Sequence, residues 1–200
     1  MAHRHVGFGK WAEGYDSGIQ GRVARWFYQA VLTCEIPQGC RVLDVGCGTG
    51  RLLSLLAERG AVGSGVEIAP EMVEVARRAN PQMDIHQGSA EDLPFDDATF
   101  DMVVTCLAYH HLDSREQFLA EAARVLAPGG RLVIAEPRFG IARPPLNALF
   151  RALHHVESFP SDREIRSDAE RSGLRVLRTR KRGLTLLVEA ETTEAPPSSA

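Results

Sequence analysis

The stretch VLDVGCGTGRL, Val42 to Leu52, decides how this chain is read. It opens as an apolar run with Asp44 near its end. It then places glycine at 46, 48 and 50 and passes straight into a leucine-rich helical pattern. Glycine lets the backbone take positive φ and lets a ligand approach closely. Such a loop at the carboxyl end of a strand, followed by the positive end of a helix, suits a nucleotide-like ligand held by an open α/β sheet.

The flanking sequence keeps the same rhythm. Strand patterns at 41–46, 62–68, 83–88, 100–108 and 131–137 alternate with helical patterns at 51–59, 70–79 and 115–127. Gly60 closes the first of these helices, Pro70 opens the second, and Pro128, Gly129 and Gly130 stop the third. The alternation predicts parallel strands with helices on both faces. Upstream, Val23, Trp26, Phe27, Ala30 and Val31 recur at helical spacing, and Pro37 and Gly39 separate that segment from the first strand. Downstream, 162–173 reads as a polar helix, and 174–190 as two β-runs joined near Arg182–Gly183, an antiparallel hairpin.

Bulk composition narrows the function. The 200 residues suit one domain, with 44% hydrophobic and 24% charged side chains, as in ordinary globular proteins. With 23 basic against 26 acidic residues, the net charge of −3 argues against nucleic acid as the default partner. No apolar run approaches the roughly 18 residues of a spanning helix. The start, MAHRHVGFGKW, carries no secretory pattern, so the expected location is the cytoplasm. Cys34, Cys40, Cys47 and Cys106 form no CxxC and read as reduced structural thiols, and the seven histidines show no metal-ligand spacing.

The glycine spacing is G-x-G-x-G, with Arg51 where a dinucleotide-binding loop would want its third glycine. That disfavours a nicotinamide cofactor. Glu67 lies about twenty residues on, at a strand end, where a carboxylate can accept both ribose hydroxyls. Both cofactor classes use that device, so Glu67 alone does not separate them.

Five ordered segments carry a family resemblance: VLDVGCGTGRL, GVEIAPEMVEVAR, GSAEDLPFDDATFDMVV, HHL and EAARVLAPGGRLVIAEP. Together they resemble class I S-adenosylmethionine-dependent methyltransferases, and within these the broad ubiquinone/menaquinone-type group, over about 11–189. The resemblance implies a Rossmann-like fold: a seven-stranded, mostly parallel sheet ordered 3-2-1-4-5-7-6, with the seventh strand antiparallel. It implies one domain over 1–190, with 1–40 as a helical cap, 137–160 as a substrate lid and 191–200 as a disordered tail. It implies S-adenosylmethionine as cofactor and a small molecule as methyl acceptor. Gly46 and Gly48 would pack on the methionine part, Asp44 would hold the amino group, and Glu67 the ribose. Ile68 and Met72 would cover the adenine, Ser89, Ala90 and Glu91 would face its edge, and Leu107 would floor the sulfonium. Tyr15 resembles the tyrosine that closes over the cofactor in this group. The group commonly has Asp where this chain has Ser89, which weakens that contact or passes it to Glu91.

Some roles keep plainer alternatives. Asp44 could cap the loop, and Met72 could be ordinary core. His110, just past the fourth strand, is a candidate base, titrating near neutrality beside the transfer site, while His111 reads as a packing or helix-entry residue. Leu146, Leu149, Phe150 and Leu153 form one helical stripe that serves equally as a lid or as packing on the sheet. Arg178, Arg180 and Arg182 alternate on one strand face, as on a charged edge strand or a surface that recruits acidic partners. Two other function classes stay in view: a binding protein that lost transfer, and a methyltransferase acting on RNA or protein. The intact loop with Glu67 disfavours the first. The charge balance and CLAYHHL in place of an NPPY-like motif disfavour the second.

Overall fold

The computed structural model of the chain describes residues 12–139, 144 and 159–193. Seven strands form one sheet in the order β3-β2-β1-β4-β5-β7-β6. They are β1 (Arg41–Val45), β2 (Val62–Glu67), β3 (Asp84–Gln87), β4 (Phe100–Cys106), β5 (Leu126–Pro137), β6 (Leu174–Arg182) and β7 (Thr185–Thr192). The first five run parallel, and β7 enters antiparallel between β5 and β6. The expected order and hairpin are therefore both present.

Five helices flank the sheet among the described residues: α1 (Ile19–Val31), α2 (Arg51–Ala57), α3 (Pro70–Ala79), α4 (Arg115–Val125) and α5 (Asp162–Arg171). Strand period two divides the core. Leu43, Val45, Val103 and Ile134 face α4 and α5, against Phe118, Leu119 and Ile165. Val42, Met102, Val104 and Val133 face α1 and α2, against Phe27, Val31, Leu52 and Leu56. Ser161 and Glu164 close a capping box at the start of α5, so a helix with little apolar surface still has a fixed beginning. Ser114 caps α4 by accepting from the Gln117 N–H.

Helix α1 forms where the spacing predicts, but its five apolar residues do not share one fate. Phe27, Ala30 and Val31 are buried, but Val23 and Trp26 are exposed. The buried face is rotated onto Gly21, Ala24 and Tyr28, because the Tyr15–Asp16 turn packs tightly on Gly21. A Cβ at Gly21 would lie 2.5 Å from the Asp16 carbonyl oxygen. β5 begins at Leu126, five residues before the expected 131, so the Pro128–Gly130 stretch lies within it; the other bounds shift by one or two residues. The stripe from Leu146 to Leu153, most of 137–160, residues 1–11 of the cap and the tail after 193 lie outside the described residues.

Candidate functional site

The glycine loop caps the carboxyl end of β1. The N–H groups of Gly46 and Cys47 both donate to the Val66 carbonyl, at 2.8 and 3.1 Å, which hangs the loop from β2. Gly46, Gly48 and Gly50 all have positive φ. At Gly46 a Cβ would lie 2.4 Å from the Ala108 Cβ, so the loop touches the segment after β4. At Gly48 a Cβ would meet nothing within 4 Å, so open space lies above it.

Glu67, at the end of β2, turns its carboxylate into that loop. One oxygen accepts from the Gly48 N–H at 2.9 Å. The other accepts from the Ile68 and Ala69 N–H groups at 2.9 and 3.0 Å. Three backbone donors fix the carboxylate, and a carboxylate with about four lone-pair sites still has room for a hydroxyl.

Asp44 lies beneath the loop, 2% exposed, and its carboxyl meets no hydrogen-bond donor among the described residues. Burial, and secondarily the charge of Glu67, pushes its pKa up to about 8. The Tyr28 phenol is within electrostatic reach of Cys106, Tyr15, Asp44 and Asp16, and burial first, then these neighbours, drives its pKa upward. Burial likewise pushes the Cys47 and Cys106 thiols well up, as befits structural thiols; all four cysteines are free.

The N-terminal segment closes one side. Asp16 accepts from the Thr49 hydroxyl at 2.9 Å, tying the turn before α1 to the glycine loop. Tyr15 packs on a cluster of Ala12, Ala69 and Met72. Met72 is therefore buried, but under Tyr15 at the rim of the loop rather than in the main core. Ile68 is half-buried beside it.

Beyond β3, the Ser89 hydroxyl donates to the Glu91 carboxylate. That carboxylate also accepts from the Asp113 and Ser114 N–H groups at 3.1 and 3.2 Å. Glu91 thus braces the entry to α4, and Ser89, Ala90 and Glu91 are all half-buried.

After β4 the chain bends sharply. Leu107 has φ of 61°, rare for a branched side chain, and its N–H donates to the Ala135 carbonyl at 2.9 Å. The bend leads to a 3-10 turn, Tyr109–His111. His110 is 7% exposed, and its Nδ1 lies 2.6 Å from Oε2 of Glu136, a fully buried residue near the end of β5. The other Glu136 oxygen accepts from the Tyr109 N–H at 3.0 Å. The His110 ring sits between His111 and Phe159, with centroids 4.0 and 4.6 Å away, and Phe139 meets Phe159 edge-on. Desolvation, then the neighbouring His110, lowers the His111 pKa to about 3.

Residues 43–134 match a methyltransferase domain family. The chain carries a methyltransferase domain. It is 39% identical over 142 residues to a demethylmenaquinone methyltransferase of Symbiobacterium thermophilum, a match covering 64% of this chain and 57% of that protein. It is 34% identical over 149 residues to an O-methyltransferase of Aspergillus nomiae, covering 70% and 66%. Among solved structures, a methyltransferase crystallised with the Trm112 methyltransferase activator of Haloferax volcanii superposes with a TM-score of 0.81. That match has 23% identity and covers 96% of this chain and 100% of that one, a likeness of fold. The chain spans about half the length of the curated relatives it matches.

Within this methyltransferase fold, the structure gathers Tyr15, Asp44, Gly46, Gly48, Glu67, Ile68 and Met72 around the glycine loop, and Leu107 and His110 past β4. Three residues escaped the sequence reading. Asp16 and Tyr28 come from the N-terminal cap, and their partners are remote in sequence. Glu136 is the acid of the VIAEP run, an acid at a strand end as Glu67 is. That shared position was the available signal. No helix among the described residues is long and apolar enough to cross a membrane, and none of their His, Cys, Asp and Glu side chains group as a metal site.

Proposed function

We propose that this chain binds S-adenosylmethionine over the glycine loop and transfers its methyl group to a small molecule. One observation carries the reading: a buried Asp44 carboxyl with no hydrogen-bond donor among the described residues lies under a loop with open space at Gly48 and an oriented Glu67 on its far side. This donor set fits an aminoacyl nucleoside. Asp44 suits an ammonium, Gly46 and Gly48 the methionine backbone, and Glu67 the vicinal hydroxyls of a ribose. Ile68 and Met72 offer an apolar surface to adenine, with Ser89 and Ala90 at its edge. Tyr15 and Leu107 border the reacting end.

When bound, the cofactor supplies a methyl group already activated by a sulfonium. The protein's task is to hold the acceptor in line and to exclude water. Tyr15 and the Asp16–Thr49 tie screen one side of the cleft. His110 stands past β4 as a proton acceptor for the other reactant. The curated relatives support a small-molecule acceptor, since one name specifies demethylmenaquinone and the other oxygen as the acceptor atom. Four free thiols support a reducing, cytoplasmic setting.

Calorimetry tests the reading. S-adenosylmethionine and S-adenosylhomocysteine should bind the full chain, NADH should not, and Glu67→Ala should weaken binding about 10- to 100-fold. Release of S-adenosylhomocysteine in the presence of small acceptors then separates an enzyme from a binder. Tight NADH binding with no response to S-adenosylmethionine would sink the proposal.

A further inference from the structure

Helix α1 carries apolar residues on two faces. Gly21, Ala24, Phe27, Tyr28 and Val31 pack inward. Ile19, Val23 and Trp26 point the other way and stand 73%, 50% and 69% exposed. Positions i, i+4 and i+7 fall within about 60° of one another around a helix, so the three side chains form one stripe roughly 10 Å long. Single exposed apolar residues are ordinary, and Val62 on β2, Leu177 on β6 and Leu184 in the turn between β6 and β7 are of that kind. A tryptophan in line with an isoleucine and a valine is a patch, and a patch marks a place of contact.

The charges around the stripe narrow what it contacts. Arg22 and Arg25 lie along one flank, both exposed, and α1 contains no acidic residue. The Arg22 side chain makes no hydrogen bond or ion pair among the described residues, and Arg25 gives one bond, at 3.3 Å, to the Asp16 carbonyl. The two acids just upstream are engaged: Glu13 pairs with Arg78, and Asp16 accepts from Thr49. Residues 1–31 hold four basic side chains (Arg4, Lys10, Arg22, Arg25) against those two acids, a balance of +2. The remaining 19 basic and 24 acidic residues give −5. The positive end of the chain is thus the end that carries the stripe.

We propose that α1 docks on an anionic lipid surface, with Ile19, Val23 and Trp26 entering the interface and Arg22 and Arg25 meeting the headgroups. Thirteen residues with two arginines are too few and too charged to span, so the helix lies in the plane of the membrane. Tryptophan suits that depth, since its ring is apolar and its indole N–H stays wet. A second copy of the chain fits less well, because three side chains fall far short of the about 800 Å² that each partner buries in a stable dimer. RNA would use the arginines and leave the apolar stripe idle. The inward face of α1 and the Asp16–Thr49 bond are untouched by docking, so the glycine loop keeps its shape. The inference concerns the outer face of α1 alone and stands whether or not the chain transfers methyl groups.

The test mixes the full chain with vesicles of phosphatidylglycerol and phosphatidylcholine in equal parts, and with vesicles of phosphatidylcholine alone. At low salt the wild type should sediment with the first and stay in solution with the second, and added salt should release it. Trp26→Ser should weaken binding about 10- to 100-fold. Arg22→Gln and Arg25→Gln should each weaken it about fivefold. In a Trp11→Phe background, which leaves Trp26 as the one tryptophan, its fluorescence should move to the blue on anionic vesicles. Trp26, Arg22 and Arg25 are exposed, so replacing them should leave the melting temperature unchanged. If Trp26→Ser melts early, Ile19→Gln carries the apolar arm, with a loss of about tenfold. The inference is overturned if the wild type ignores anionic vesicles, if it binds phosphatidylcholine equally, or if neither the apolar nor the arginine variants lose affinity. Two other results also overturn it. A lipid-free dimer broken by Trp26→Ser in sedimentation velocity assigns the stripe to a second copy. RNA binding lost in Arg22→Gln but kept in Trp26→Ser assigns the flank to nucleic acid.

Discussion

The Glu67 carboxylate accepts from the Gly48 N–H at 2.9 Å, joining the end of β2 to the middle of the glycine loop. The bond makes one residue serve as loop support and as ligand anchor. Glu67→Gln keeps the size but replaces one acceptor with a donor. That donor would face either Gly48 or the Ile68 and Ala69 N–H groups. Chemical denaturation should show a loss of about 1–2 kcal/mol, because a buried backbone donor loses its partner. Calorimetry should show S-adenosylmethionine affinity falling at least tenfold.

Asp44 makes cofactor binding depend on pH. Its carboxyl is raised to about 8, chiefly by burial and further by Glu67, so at neutral pH it is mostly protonated in the free protein. Only the ionised form pairs with an ammonium. Affinity should therefore drop by up to about tenfold per pH unit as pH falls below about 8. For stability the sign is opposite: the folded chain holds this proton more tightly than the unfolded chain, so stability declines as pH rises from about 4 to about 8. Asp44→Asn should abolish both dependences, gain stability at pH 8 and lose the cofactor. Denaturation and calorimetry across that window check the pair of trends.

Two neighbouring glycines should fail in different ways. Gly46→Ala drives a Cβ to 2.4 Å from the Ala108 Cβ at a φ of 75°, so a loss of roughly 3 kcal/mol or more in unfolding free energy is expected. Gly48→Ala meets no atom within 4 Å, and its cost should be about 1–2 kcal/mol for the left-handed backbone. The Gly48 variant should nonetheless bind S-adenosylmethionine poorly, since the methyl enters the ligand's space. Melting temperatures and binding isotherms of the two variants separate these outcomes.

Glu189 on β7 is almost fully buried and holds two arginines of β6. Arg178 reaches both of its oxygens, at 2.7 and 2.9 Å, and Arg180 reaches one at 2.6 Å. Burial works to raise its pKa, but the two guanidiniums outweigh it and hold the carboxyl below its usual value. Its contribution is complete above about pH 4.3 and is lost as pH falls through the depressed value. Glu189→Gln should cost about 2–3 kcal/mol at neutral pH, less than a fully buried pair because Arg178 can turn to water. Thermal unfolding at pH 7 and pH 3 should show the penalty at the higher pH and a smaller one at the lower.

Much of this was legible because the signals are local. The Val42–Leu52 run contains its strand, turn and helix start within eleven residues, and the order of elements follows from apolar periods that need no tertiary knowledge. Asp16 was invisible because its partner, Thr49, lies 33 residues away. Glu136 was hidden at the end of an apolar strand, 26 residues from His110. The exposure of Trp26 could not be read for a related reason. Helical spacing identifies a stripe but not its rotation, and that was set by the close contact between Gly21 and Asp16. The arginines of β6 do share a face, as their alternation implied, but Arg178 and Arg180 spend their charge on Glu189.

β7 is synthesised after both of its neighbours yet sits inside the sheet, between β5 and β6, with Leu187 and Val188 buried. The central layer stays unfinished until the residues from Thr185 onward have left the ribosome. Until then β5 presents an open rim bearing Val133 and Ile134, ready to pair with another nascent copy. Chains cut short before Thr185 should therefore accumulate as aggregates even though every residue of the glycine loop has already been made.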